Sequence, residues 1–293
     1  MSELLADMPD RALASWFGSD RMIGDEIGAE LEGCSWVGVP FAGAMSCLDS
    51  ITARTLVVSD LHRHVINLAR AIANPDAGQF RALARMWAEA PYHPDLLQRA
   101  QAFCRANEPK DRWPCDPNAA YWYFIVSWMG RSSKGGSVDE FNGGIATRWN
   151  SNGGGSGTRY RSAVRSAVAW RRLMRRCDFH VLDALLFIPN CPDTPETGLY
   201  VDPPFPGPGE KYRYKFTIDQ HRELARMLGT FAQARVVCRF YDHPLIRELY
   251  PQDRWTWRFL TCGRKQTNAP APEVLIINGP SRVPAGPEAN SLF

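Results

Sequence analysis

The sequence predicts an α/β protein with an open, mostly parallel sheet. Short apolar runs recur along the chain and stop abruptly at Pro or Asp, as buried strands do where they leave a sheet. Two of these runs lead into segments with helical apolar spacing. Strand and helix signals therefore alternate, the pattern of a parallel sheet with crossover helices. A chain of 293 residues, 45% apolar and 22% charged, can bury such a core as one large domain or as one domain with an insertion.

The elements follow in order. SWVGVPFAGAMS (35–46) is an apolar run broken by Pro40 and small residues. TLVVSDLHRHVINLARAI (55–72) reaches Asp60 as a strand, then takes helical spacing at Val65, Leu68, Ala69 and Ile72. Residues 75–128 read as helical and aromatic, with AAYWYFIVSW as a buried piece. Residues 130–157 hold nine glycines; a loop so long and glycine-rich is disordered or functional. GLYVDPPF (198–205) is a strand ended by two prolines, which remove two backbone donors. In TIDQHRELARMLGTF (217–231), Thr217 and Gln220 form a capping-box pattern, and Leu224, Leu228 and Phe231 mark an apolar face. RVVCRF (235–240) and EVLIIN (273–278) read as further buried strands. The expected organisation is a sheet domain from 1–74 and 177–279, a mostly helical insertion at 75–176, and a flexible tail at 280–293.

No apolar run approaches the roughly 18 residues that span a bilayer. The opening MSELLADMPDRALASWF lacks a secretory pattern, so a cytoplasmic protein is expected. The eight cysteines contain no CxxC and fit reduced core residues. His62 and His64, two apart, face different ways on a helix, and no metal is expected. Net charge is only +3, yet residues 131–176 hold ten Lys or Arg and two acids, an excess of eight that leaves the remainder at −5. Such a segment suits a polyanion, or is the solvated face of an amphipathic helix.

Ligands of open α/β sheets sit beyond the carboxyl ends of the strands. Three such ends carry distinctive residues here. The small residues of PFAGAMS admit a ligand close to the backbone. Asp60 stands where an acid accepts from ribose hydroxyls, or where it caps a helix. DPPF points a carboxylate, a carbonyl and a ring in one direction. A nucleoside ligand beside an Asp-Pro-Pro-aromatic clamp is a coherent reading.

The ordered set of motifs resembles the Dam-type (class alpha) DNA adenine-N(6) methyltransferases. WFGSDRMIGDEIGAEL resembles that family's opening W-x-G-G-K segment, VPFAGAMS its E-P-F-x-G-x-G-S loop, and VVSDLHRHVINLARAI its second strand, acid and helix. WYFIVSWMGRSSKGG and GGIATRWNSN resemble its aromatic and glycine-rich middle, and FHVLDALLFI its strand with an acid near the cofactor adenine. GLYVDPPF is similar to its D-P-P-[YF] signature, while FYDHPLIRELYP and RKQTNAPAPEVLIIN fit the closing segments. Four positions depart from the pattern. Asp20 stands where the family has a lysine, with Arg21 adjacent; Val39 replaces a glutamate; Met45 replaces a glycine; Phe205 keeps the ring of tyrosine and loses its hydroxyl.

The resemblance implies a Rossmann-like S-adenosylmethionine-dependent methyltransferase sheet with an inserted, mostly helical target-recognition subdomain at 75–176. It implies methyl transfer from S-adenosylmethionine to the exocyclic amine of a flipped adenine in double-stranded DNA, without a metal or an obligate protein partner, in a bacterial or phage-infected cell. The implied cofactor residues are Trp16, Phe41, Gly43, Asp60, Asp183 and Asp202. The implied catalytic set is Asp202, Pro203, Pro204 and Phe205. An Asp202 carboxylate takes one amine hydrogen and the Pro203 carbonyl the other, which frees the nitrogen lone pair. The prolines stiffen the turn, and Phe205 stacks on the extruded base. Lys134, Arg148, Arg159 and Arg161 are the implied DNA contacts, mainly to phosphates. Two alternatives stand beside this reading: an RNA guanine-amine methyltransferase, and a catalytically inactive DNA-binding relative.

Overall fold

A computed structural model describes residues 12–131, 134–147, 155–207, 211–260 and 273–283. Its strands are β1 (Trp36–Val39), β2 (Thr55–Ser59), β3 (Cys177–His180), β4 (Thr197–Val201), β5 (Arg235–Tyr241), β6 (Thr256–Phe259) and β7 (Glu273–Ile277). They form one mixed sheet in the order β3-β2-β1-β4-β5-β7-β6. The first five run parallel, and β7 is antiparallel to both β5 and β6. The expected α/β sheet is therefore observed, in a Rossmann-like order. The chain winds outward from β1 to β3, then returns to β4 on the other side of β1. The β1–β4 boundary is the switch point where such sheets hold ligands. β6 carries no clear sequence signal, because its TWRF edge strand is short and only partly buried.

The helices are α1 (Gly24–Glu30), α2 (Arg63–Ala73), α3 (Ala77–Glu89), α4 (Pro94–Ala106), α5 (Pro117–Met129), α6 (Ser156–Met174), α7 (Ala184–Phe187), α8 (Ile218–Leu228) and α9 (Pro244–Leu249). Their starts are chemically marked. Asp76 and Asp116 accept from backbone N–H groups of α3 and α5, and Pro opens α4, α5 and α9. Thr217 and Gln220 form both bonds of the capping box of α8. Leu224 and Leu228 of that helix are buried under the β4–β5 face, as their spacing predicts.

Helices α3 to α6 are inserted between α2 and β3. They do not enclose a separate core: α2, the sheet and these helices share one continuous apolar cluster. α5 is apolar nearly all round, and its Phe124 stacks on Trp87 of α3 at 4.2 Å. Arginines fasten the insertion. Arg171 donates to the Ile72 carbonyl at 2.8 Å and lies over Phe80, and Arg176 donates to the Ala53 carbonyl. Among the described residues no helix is long and apolar enough to cross a membrane, and no cluster of His, Cys, Asp and Glu suits a metal. The described cysteines are free, and burial pushes the thiols of Cys104, Cys177 and Cys191 up to about 12, which leaves them unreactive.

At the amino ends of the strands, the buried Glu30 carboxylate gathers the end of α1, the start of β5 and residues 280–283. It accepts from Arg235 Nη2 at 2.5 Å, Ser281 Oγ at 2.5 Å and the Arg282 backbone N–H at 3.0 Å. The first residues of the expected flexible tail are thus anchored; residues 284–293 lie outside the described residues. Glu30→Ala leaves the buried Arg235 without its counter-charge. The expected result is a loss of about 3–5 kcal/mol in unfolding free energy, read by urea denaturation.

Candidate functional site

One cavity lies beyond the carboxyl ends of β1, β2, β3 and β4. Its empty space is about 860 Å³, a figure that includes the open mouth. Each strand end contributes: Phe41 and Gly43 after β1, Asp60 after β2, Asp183 after β3, and Asp202 with Pro204 after β4. Trp16 joins them from the segment before α1. All six residues expected to hold a cofactor therefore line the same cavity.

Asp60 ties the floor together. Its Oδ2 accepts from the Gly43 N–H at 2.7 Å and its Oδ1 from the His62 N–H at 2.8 Å. Burial raises the Asp60 pKa despite these two bonds. Each carboxylate oxygen keeps a further lone pair for a ligand hydroxyl. Asp60 does not cap α2 itself; His62 does, its Nδ1 accepting from the Val65 N–H. Because His62 precedes the helix, its ring lies 5.9 Å from that of His64, contrary to the expectation that the two face apart. Asp183 caps α7 through the Leu185 N–H at 2.8 Å and still faces the cavity.

The loop after β1 is shaped by close approach. Gly43 has φ 47°, and a Cβ there would lie 2.7 Å from Trp16 Nε1. On the other side, Gly136 has φ 73°, and its Cβ would lie 2.5 Å from Trp16 Cζ2. The indole is thus held between two glycines, and the glycine-rich insertion reaches the cavity at Gly136. Met45 occupies the position where the resemblance expects glycine, and it keeps φ 57°. A left-handed methionine stores strain of about 1–2 kcal/mol next to the cavity.

Asp202 leaves β4 into the cavity. Its Oδ2 accepts from Arg239 Nη1 at 3.1 Å. Burial pushes the Asp202 pKa up to about 7; Arg239 opposes the rise, and the Asp20 carboxylate adds to it. Asp20 lines the cavity, whereas Arg21 does not.

The segment after the DPPF turn supplies a wall that the motifs did not single out. Tyr212, Tyr214 and Phe216 line the cavity with Lys215. The signal was present: YRYKF (212–216) alternates aromatic and basic residues shortly after the DPPF turn. Lys215 and Phe216 also border a neighbouring groove with Phe205, Arg222 and His243. Phe205 faces this groove, not the cavity at the strand ends, and its ring meets Tyr241 edge-on at 4.7 Å. Pro203 is buried behind the turn.

A buried polar network joins the insertion to the cavity. Glu140 Oε2 lies 2.5 Å from His62 Nε2, and Glu140 Oε1 accepts from Tyr123 OH at 2.8 Å. No motif marked it, since neither spacing nor composition brings positions 62, 123 and 140 together.

The basic residues divide. Arg159 lies over the Trp128 ring at 5.4 Å and Lys134 donates to the Asn142 carbonyl at 3.3 Å. Arg161 and Arg165 are exposed one turn apart on α6. Arg148 lies outside the described residues.

No protein-family model matches the chain, and no curated protein matches it significantly. Substituting Gly43 tests the packing around the indole. Gly43→Ala is expected to destabilise the protein by about 1–3 kcal/mol, through overpacking against Trp16, with a shifted tryptophan emission.

Proposed function

We propose that this protein is an S-adenosylmethionine-dependent methyltransferase acting on the exocyclic amine of adenine in double-stranded DNA. The observation that carries this reading is the convergence of Trp16, Phe41, Gly43, Asp60, Asp183 and Asp202, from five separated segments, on one cavity. The lining also supports it by charge. Asp20, Asp60, Asp183 and Asp202 make the cavity acidic, which favours a cationic sulfonium and ammonium and disfavours the phosphates of a dinucleotide. Aromatic faces beside those acids suit both an adenine ring and an onium charge.

In this reading each group has one task. Asp60 receives ribose hydroxyls, and Asp183 lies where it can meet the cofactor adenine. S-adenosylmethionine supplies a methyl group on sulfur, and the protein supplies orientation. The acceptor base enters from the groove beside Phe205, against whose ring it stacks. Asp202 Oδ1 accepts one amine hydrogen and the Pro203 carbonyl the other, so the lone pair points at the methyl. The reaction is an in-line displacement. The helices at 75–176 form the target-recognition region in this reading, with Arg161 and Lys134 near phosphates and Arg159 mainly bracing Trp128.

The test is transfer from labelled S-adenosylmethionine to unmodified double-stranded DNA, followed by nucleoside mass spectrometry. N(6)-methyladenine is the expected product. Methyl on RNA guanine instead would support the RNA alternative, and absence of both transfer and cofactor binding would leave a DNA-binding relative. Asp202→Ala is expected to lower the rate about 100-fold or more while the chain still folds.

The pH dependence follows from Asp202. Its ionised form is much the stronger acceptor for the amine hydrogen, and protonation below about 7 weakens that acceptor and puts a donor in its place. The expected kcat/KM therefore rises about tenfold per pH unit on the acid side and levels off above neutrality. A profile flat from pH 5.5 to 8 would contradict the role given to this carboxylate.

A further inference from the structure

Arg239, on β5, is a cation buried beside the proposed reaction centre. Its side chain is 6% exposed. Nη1 donates to Asp202 Oδ2 at 3.1 Å and to the Gly18 carbonyl at 2.8 Å. Nη2 and Nε donate to Glu273 Oε2 at 2.8 and 3.2 Å. The guanidinium also lies over the Phe205 ring, 5.6 Å from its centroid. One planar group therefore touches the first and last residues of the DPPF turn. A lysine, with a compact ammonium on a flexible stem, cannot make this set of contacts.

The surrounding charges explain why a fixed cation is needed. Asp20 and Glu273 both act to keep Asp202 protonated, and Arg239 is the cation opposing them. Tyr200, Tyr212, Tyr241 and Cys47 also face this carboxyl; burial raises all four pKa values, so they stay neutral near pH 7. The segment before α1 adds a second negative charge, Asp20, beside Asp202, and the opposing positive charge comes from β5.

Resting on the methyltransferase reading, we infer that Arg239 is a positioning residue for Asp202: it favours the ionised carboxylate over the protonated one, occupies Oδ2 so that Oδ1 is left for the acceptor amine, and braces Phe205 at the other end of the turn.

The test follows Asp202 directly. Carboxyl-labelled aspartate in the full chain is titrated by carbon-13 NMR, the Asp202 resonance being identified by its loss in Asp202→Asn. Arg239→Gln is expected to raise the midpoint by about one pH unit or more, a tenfold change in proton affinity. Arg239→Lys keeps the charge but loses the fork; it raises the midpoint less and serves if the Gln variant does not fold. Asp20→Asn lowers it. An unmoved midpoint in the folded Arg239 variant overturns the inference. In the transfer assay, the acid limb of kcat/KM shifts in the same order, and the loss in Arg239→Lys recovers at higher pH. A loss equal at every pH signals mere structural damage and also overturns it. If the wild type transfers no methyl while the Asp202 midpoint still follows Arg239, the methyltransferase reading fails and the coupling of Arg239 to Asp202 stands.

Discussion

Two backbone hydrogen bonds to the Asp60 carboxylate organise the candidate site. One reaches sideways to Gly43 and fixes the loop after β1; the other fixes the His62 N–H at the entry to α2. The first bond sets the glycine against which Trp16 packs. The second sets the ring that meets Glu140, and Glu140 comes from the glycine-rich insertion. A single side chain thus links two adjacent strand ends, the amino-terminal segment and the insertion. Such reach is available only because β1 and β2 run parallel and in register, with Val39 opposite Val58, so that their ends lie level.

Around this knot the site concentrates like charge. Four carboxylates line one cavity, and burial raises the pKa of two of them, Asp60 and Asp202. Charges so placed are tolerable when each has a fixed partner. Asp60 has its backbone N–H groups and Asp202 has Arg239. The strained Met45 belongs to the same economy of position: the loop holds a glycine-like backbone although a bulky residue occupies it.

Much of this was legible in the sequence. Strand ends at Asp60 and Asp202, the capping box at Thr217 and the buried α5 were visible because hydrophobic period and capping chemistry are local. Five of the six cofactor candidates follow strand ends, where topology does the gathering; Trp16, in the segment before α1, was singled out only by the resemblance. What escaped depends on distant pairing. Arg239 reads as one residue of a buried strand until Asp202 and Glu273 are placed beside it. Glu140 sits in a glycine-rich stretch whose local pattern says only loop. The edge strand β6 was missed because a half-exposed four-residue strand has almost no periodicity. The insertion was legible as helical, but its sharing of one core with α2 was not, since apolar faces do not declare their partners.

The Glu30 cluster carries a practical corollary. Residues 280–283 are held at the amino ends of the parallel strands, and the cavity opens at their carboxyl ends. The chain therefore passes residue 283 on the underside of the sheet, with the sheet's full depth between that point and the cavity mouth. A fluorophore or a surface tether attached at residues 280–283 therefore sits on the side of the sheet away from that opening. The molecule can be immobilised there with its mouth presented to solution, which suits surface-based ligand-binding measurements.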